Sequence, residues 1–101
     1  MAEEQHNQHA QEIQKGDVVL VQMRRNDTST SWGFRMQGGA EFGVPLFILK
    51  VNPRSASGRA GLSAGDAVLQ ICGTAATYMS HSQAKMEIIR AGNELDFVVQ
   101  K

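Results

Sequence analysis

Apolar and polar positions alternate over short stretches through most of the chain, and one stretch near its end has helical spacing. Residues 17–23 (DVVLVQM) are dense in β-branched side chains, with Val19, Val21 and Met23 on one face of a strand. Residues 24–31 are rich in Asn, Asp, Ser and Thr and read as a turn. Phe34-Arg35-Met36-Gln37 then alternates as a half-buried strand does, and Gly38-Gly39 ends it ahead of a loop to Pro45. Residues 46–51 make a third strand, stopped by Asn52-Pro53. Residues 55–60 form a short helical turn that Gly61 terminates. Gly65-Asp66 marks a turn before a strand over 67–71, Cys72-Gly73 marks another, and 74–78 is a short strand.

The spacing predicts a longer helix over 80–91. Ser80 can cap its first turn while Gln83 reaches back, the arrangement of a capping box. Gly92 stands where a helix end takes a left-handed residue. Leu95, Phe97 and Val99 alternate with polar neighbours in a last strand. The expected fold is mainly β (α+β): a partly open barrel of five to six mostly antiparallel strands capped by two helices. Residues 1–14 (MAEEQHNQHAQEIQ) carry too few apolar groups to offset their ordering entropy, so they read as a flexible polar tail ahead of a single domain over 15–101. His6 and His9 in that tail lack the third ligand and rigid frame that a metal site needs.

Composition narrows the function. Ten basic and ten acidic side chains cancel over the 101 residues, whereas binding to nucleic acid normally needs a basic excess that neutralises phosphates. Arg24-Arg25, Arg54 and Arg59 read as solvated surface charge. Cys72 is the single cysteine, which fits a reducing compartment. No apolar run can span a bilayer and no hydrophobic leader follows Met1, so the expected setting is cytoplasmic, without membrane insertion. Catalysis finds no support. Ser80, His81 and Asp66 can be strung into a triad only on paper, and no Gly-x-Ser-x-Gly elbow, His-Glu-x-x-His or P-loop occurs. No cofactor is called for.

Candidate chemistry lies at Ser31-Trp32-Gly33-Phe34, a tight turn feeding a strand. Gly33 lets the backbone approach a ligand, and successive main-chain N–H groups at such a turn form an anion site. Trp32 and Phe34 would flank it. A carboxylate held by amides above an apolar pocket describes the end of a peptide chain; a plain hairpin entry with two core aromatics fits the tetrapeptide equally well. In the helix, His81, Lys85 and Ile88 fall at i, i+4 and i+7 on one face. Imidazole, ammonium stem and aliphatic group make a poor core face, but they suit one wall of a groove whose other wall is strand 34–37. Ala84 and Ala91 beside them allow close packing.

These features together resemble a PDZ domain. Ser31-Trp32-Gly33-Phe34 is similar to the family's carboxylate-binding loop. Residues 60–73 (AGLSAGDAVLQICG) resemble its central Gly-Leu…Gly-Asp…Gly motif, and Ser80-His81-Ser82-Gln83-Ala84 resembles the start of its second helix. The likeness spans residues 17–100. The run from Trp32 to Gly39 with Phe42 and Pro45-Leu46 is most similar to the Enigma/actinin-associated LIM group, which includes the Zasp/Cypher proteins. The resemblance implies that amides around Trp32, Gly33 and Phe34 hold a terminal carboxylate. It implies that Trp32, Phe34, Met36 and Ile88 line the pocket for the last side chain, and that His81 selects a Ser or Thr hydroxyl two residues upstream. Arg35 and Lys85 would tune outer ligand positions. The implied protein is a monomeric adaptor of the cytoskeleton or muscle Z-disc whose partner is a C-terminal tail, with α-actinin as the candidate. Internal segments, lipid or another PDZ domain are alternative ligands. Trp32 and Cys72 depart from the family's usual loop and turn residues, and Cys72 is expected to weaken its hairpin slightly.

Overall fold

The structure is a computed structural model and describes residues 13–101. Residues 1–12, with His6, His9 and most of the proposed tail, lie outside the described residues. The strands are β1 (Val18–Arg24), β2 (Phe34–Gly39), β3 (Val44–Val51), β4 (Ala67–Ile71), β5 (Thr74–Ala75) and β6 (Glu94–Gln100). The helices are α1 (Ala56–Arg59) and α2 (His81–Arg90), and a 3-10 turn, Ala40–Phe42, joins β2 to β3. The sheet runs β1-β6-β4-β3-β2, with β5 paired to β4, and every pairing is antiparallel. It is open: β1 and β2 are its edges.

Alternation decides which side chains go inside. Along β6, Leu95, Phe97 and Val99 are buried. They face Val21 and Met23 of β1, Val68 and Ile71 of β4, and Leu46 and Ile48 of β3 in one apolar core. A core of this size leaves no slack, because interiors pack like organic crystals. Ala84, fully buried on α2, has only a methyl group there and lets that helix settle on the core.

Several boundaries differ from the sequence expectation. Gly38-Gly39 ends β2 as expected, but both glycines belong to the strand, with φ of 90° and 140° and a register shift that still pairs Gly39 with Val44. A side chain at Gly38 would sit 2.1 Å from the Pro45 carbonyl oxygen, so only glycine allows this approach of β2 to β3. β3 therefore begins before Pro45, whose missing N–H falls within the shifted register. The strand expected over 74–78 shortens to Thr74–Ala75, because Ala76 turns into the core and Tyr78 is exposed. Cys72 adopts φ 48°, the single positive φ outside glycine among the described residues, and with Gly73 it closes the two-residue β4–β5 turn.

α1 and α2 start as the sequence indicates. Ser55 Oγ accepts from Gly58 N–H at α1. At α2, Gln83 N–H donates to Ser80 Oγ at 3.0 Å while Ser80 N–H donates to Gln83 Oε1 at 2.8 Å, which satisfies amides that helix geometry leaves open. Gly92, with φ 67°, lets the chain turn from α2 into β6.

The last residue adds a tie from outside the pattern. Lys101 Nζ donates to Asp66 Oδ2 at 2.6 Å and to the Gly61 carbonyl at 2.7 Å, and Asp66 Oδ2 also accepts from Ser63 N–H. The two charged side chains are 11% and 4% exposed. The Gly65-Asp66 turn signal thus conceals an enclosed ion pair that clamps the end of β6 to the β3–β4 connection.

Candidate functional site

β2 pairs with β3 on one side only, and α2 lies across from its free edge. Between them runs a groove of about 440 Å³ lined by Trp32, Phe34, Met36, His81, Lys85 and Ile88, with Arg25 and Ile89 at its rim. The structure therefore gathers into one cleft every side chain that the sequence marked as a candidate; Arg35 stands on its outer margin.

The loop at the closed end is held from behind. Asn52 N–H donates to the Gly33 carbonyl at 2.8 Å, and Ser57 N–H donates to the Trp32 carbonyl at 3.1 Å. In a trans peptide the N–H points opposite to the C=O, and no peptide bond among the described residues is cis. With both carbonyls turned into the fold, the amides of Gly33 and Phe34 face the other way. Ser31 Oγ accepts from Gly33 N–H at 3.1 Å and is an exposed, replaceable partner. Gly33 is held at φ 88°, pressed against Ser55. Upstream, hydrogen bonds from the Ser29 hydroxyl and amide, then from Thr30, hold the Asp27 carboxyl below the usual carboxylate range and give the preceding turn its shape.

Trp32 is more deeply placed than a flanking residue would be. It is 7% exposed, and the Arg25 guanidinium lies 4.2 Å from the centre of its ring, a cation–π contact. Arg25 Nη1 donates to the Thr30 carbonyl at 2.6 Å and Nη2 to that of Gly92 at 2.9 Å. The reading of Arg24-Arg25 as solvated charge holds for Arg24, paired with Asp96 at 2.7 Å, and fails for Arg25, which roofs the tryptophan and joins the groove. No local signal separates two adjacent arginines; only the fold puts one of them on Trp32. Phe34 meets Phe97 edge to face, with centroids 5.5 Å apart, so the floor of the groove is continuous with the core.

At the open end, His81 Nδ1 lies 3.0 Å from the Gly38 carbonyl oxygen. That oxygen can only accept, so Nδ1 carries the proton and Nε2 of the neutral ring is left as an acceptor. The His81 main-chain N–H donates to both carboxylate oxygens of Glu41, at 3.0 and 3.2 Å. A negative group there also suits the helix N-terminus. Ala40 N–H donates to the Met79 carbonyl at 2.9 Å. These bonds tie the β2–β3 turn to α2 and set the width of the groove. Sequence reasoning passed over Glu41, since nothing local links it to a helix start 40 residues on.

Charge around the cleft is one-sided although the chain as a whole is neutral. Arg25 and Lys85 border it, and Arg35 is paired across the ladder with Lys50. Like charges directly opposite repel. Among the described residues no group of His, Cys, Asp or Glu could hold a metal ion, and no helix is long and apolar enough to cross a membrane.

A groove between the free edge of a strand and a helix, ended by outward amides, is the frame that the sequence resemblance implied. The family model described as PDZ domain matches residues 20–100. The chain belongs to the PDZ domain family. Its relatives include the PDZ and LIM domain protein Zasp of Drosophila melanogaster, 43% identical over 84 residues, which are 83% of this chain and 4% of that protein. PDZ and LIM domain protein 7 of Xenopus laevis is 39% identical over 74% of this chain and 18% of its own length. These relatives agree with the likeness to the Enigma/Zasp group. The chain spans less than a fifth of either protein. Among solved structures, the PDZ domain from choanoflagellate SHANK1 bound to a GIRK3 peptide is similar, with a TM-score of 0.76 and 27% identity over 87% of this chain and 96% of that one. PDZ domains are protein-interaction modules, and this PDZ domain has two helices on an open antiparallel sheet.

Proposed function

We propose that this PDZ domain binds the free C-terminal tail of a partner protein as an added strand on the β2 edge, preferring tails that end Ser/Thr-x-aliphatic-COO⁻. The observation that carries the reading is the pairing of two ends of one groove. Outward amides at Gly33 and Phe34 meet a terminal carboxylate, and the Nε2 acceptor of His81 meets a hydroxyl two residues upstream. Between them, Phe34, Met36 and Ile88 offer an apolar seat for the last side chain, with Trp32 beneath. Arg35 and Lys85 favour an acidic residue at the ligand positions that lie beside them, one and three before the last. The likeness to the Enigma/Zasp group makes a cytoplasmic adaptor of the cytoskeleton or Z-disc part of this proposal, with the tail of α-actinin as the candidate ligand and the domain acting as a monomer.

Screening free C-terminal peptides against amidated copies tests this directly. Hydrogen bonds to a charged group contribute about 1.5–3 kcal/mol each, so amidation is expected to weaken binding at least tenfold by calorimetry. Equal affinity for the two forms refutes recognition of the terminus.

His81 supplies a second expectation. With Nδ1 held to the Gly38 carbonyl, Nε2 is the acceptor offered to the ligand hydroxyl. His81→Ala is therefore expected to weaken binding of a Thr-containing tail about fivefold by calorimetry, the worth of about 1 kcal/mol for one hydrogen bond. The same tail with Ala in place of Thr should bind both chains alike. Equal affinity of the Thr-containing tail for the two chains rules out the hydroxyl contact.

A further inference from the structure

The groove does not stop at His81. Past it, a second cavity of about 830 Å³ opens along the same strand, shared with the first through Arg35, Met36 and His81. Its distinctive lining is apolar: Phe42 and Val44, 63% and 44% exposed, together with the half-buried Phe47. Aromatic and aliphatic groups left in water at the mouth of a cavity are the unusual feature, since scattered single ones need no explanation whereas a grouped set does. The turn that presents Phe42 is anchored by Ala40 N–H to Met79 and by Glu41 to the start of α2. Glu41 is thereby engaged by a main-chain donor, and Phe42, Val44 and Phe47 form an apolar wall beside the polar Arg35, Gln37 and Ser82.

We infer that this cavity is an upstream subsite for the same C-terminal tail, taking a large apolar or aromatic side chain four to six residues before the tail's last residue. The inference rests on the tail-binding reading above. An antiparallel strand whose last residue lies opposite Phe34 runs one for one along β2, so its residue two back meets Met36 and its residue four back meets Gly38. The register of β3 carries the same count onward, with Phe47 beside Gln37 and Val44 beside Gly39. At a rise of about 3.3 Å per residue, the next residues of the tail pass directly over this apolar wall. The Gly38 carbonyl already accepts from His81 Nδ1, so main-chain pairing weakens there and side-chain burial becomes the available source of affinity. Continuity with the tail groove thus favours the tail itself over an unrelated partner. Phe42 lies outside the core, so removing that ring does not open the interior.

The test uses the whole chain and acetylated nine-residue peptides ending Ala-Thr-Ala-Leu-COO⁻, with a Gly-Ser spacer upstream into which one Phe is moved stepwise. The four-residue peptide alone is the reference. Phe at one of the positions four to six before the last residue is expected to tighten binding at least fivefold over the spacer, and Phe at the eighth position before it should not. Phe42→Ser is expected to erase the gain and leave affinity for the reference unchanged. No binding of the reference to the unaltered chain overturns the tail reading and this subsite with it. Binding of the reference with no gain at any position overturns the subsite alone. So does a gain that survives both Phe42→Ser and Val44→Ser, or a Phe42→Ser effect confined to self-association of the chain.

Discussion

Gly33→Ala is expected to lower the unfolding free energy by about 2–4 kcal/mol and to abolish measurable tail binding. A Cβ at this position would lie 2.0 Å from Ser55 Cβ and 2.3 Å from Ser55 Oγ. Neither atom can withdraw freely, because Ser55 caps α1 and its hydroxyl also donates to the Asn52 carbonyl at 2.6 Å. Overpacking of this kind costs about 1–3 kcal/mol. The backbone is held at φ 88°, where a side chain adds about 1–2 kcal/mol. The contributions can be separated. Ser55→Gly opens the space but not the torsion, so the double variant should recover part of the loss, and glycine at a capping position costs only a few tenths of a kcal/mol. Urea denaturation reads the stability and calorimetry with a free C-terminal peptide reads the binding. A Gly33→Ala chain within about 0.5 kcal/mol of the original would mean that the loop is not pressed against α1 as described.

Breaking the Lys101–Asp66 pair is the other large effect expected. Lys101→Met leaves the Asp66 carboxylate, 4% exposed, with the Ser63 amide and without its counter-charge. Removing one partner of a buried pair is strongly destabilising, and about 3 kcal/mol is expected here. Asp66→Ala strands the ammonium with only the Gly61 carbonyl and the distant Ser63 hydroxyl, at 3.4 Å. The double variant strands neither charge. Its loss should be smaller than the sum of the single losses, with a coupling of about 1–3 kcal/mol in a double-mutant cycle. Neither residue lines the groove, so tail affinity should not change in any of the folded variants. Additive losses would reduce the pair to a solvated contact.

The two results probe different kinds of information. The sequence marked Gly33 as a residue whose missing side chain lets the backbone approach a ligand at a tight turn. What that side chain would strike was not visible, since Ser55 is brought there by the fold. The Asp66–Lys101 tie left no trace in the sequence beyond a turn signal. Arg25 shows the same limit from the other side. Its composition signal, one basic residue next to another, pointed to solvent, and only the closure of β1 against β6 placed it on Trp32. Cys72 adds a case in between: the sequence placed it in a turn, and the ladder pairs Ile71–Thr74 and Gln70–Ala75 hold it in the left-handed conformation that Asn, Asp or Gly takes more readily.

The amino-acid order alone determined what neighbours in the chain can settle among themselves. Strand alternation, the reciprocal caps of α2, the glycine that ends it and the face shared by His81, Lys85 and Ile88 all depend on residues a few positions apart, where backbone geometry leaves few choices. Tertiary structure decided the strand order that leaves β2 without a neighbour on one side, and with it the existence of a groove. It also decided the proton position on His81, through a carbonyl 43 residues away, and the outward aim of the loop amides, through donors from β3's end and α1. Such contacts join groups distant along the chain. They follow from how twisted sheet and helix pack around one core, which no local pattern encodes.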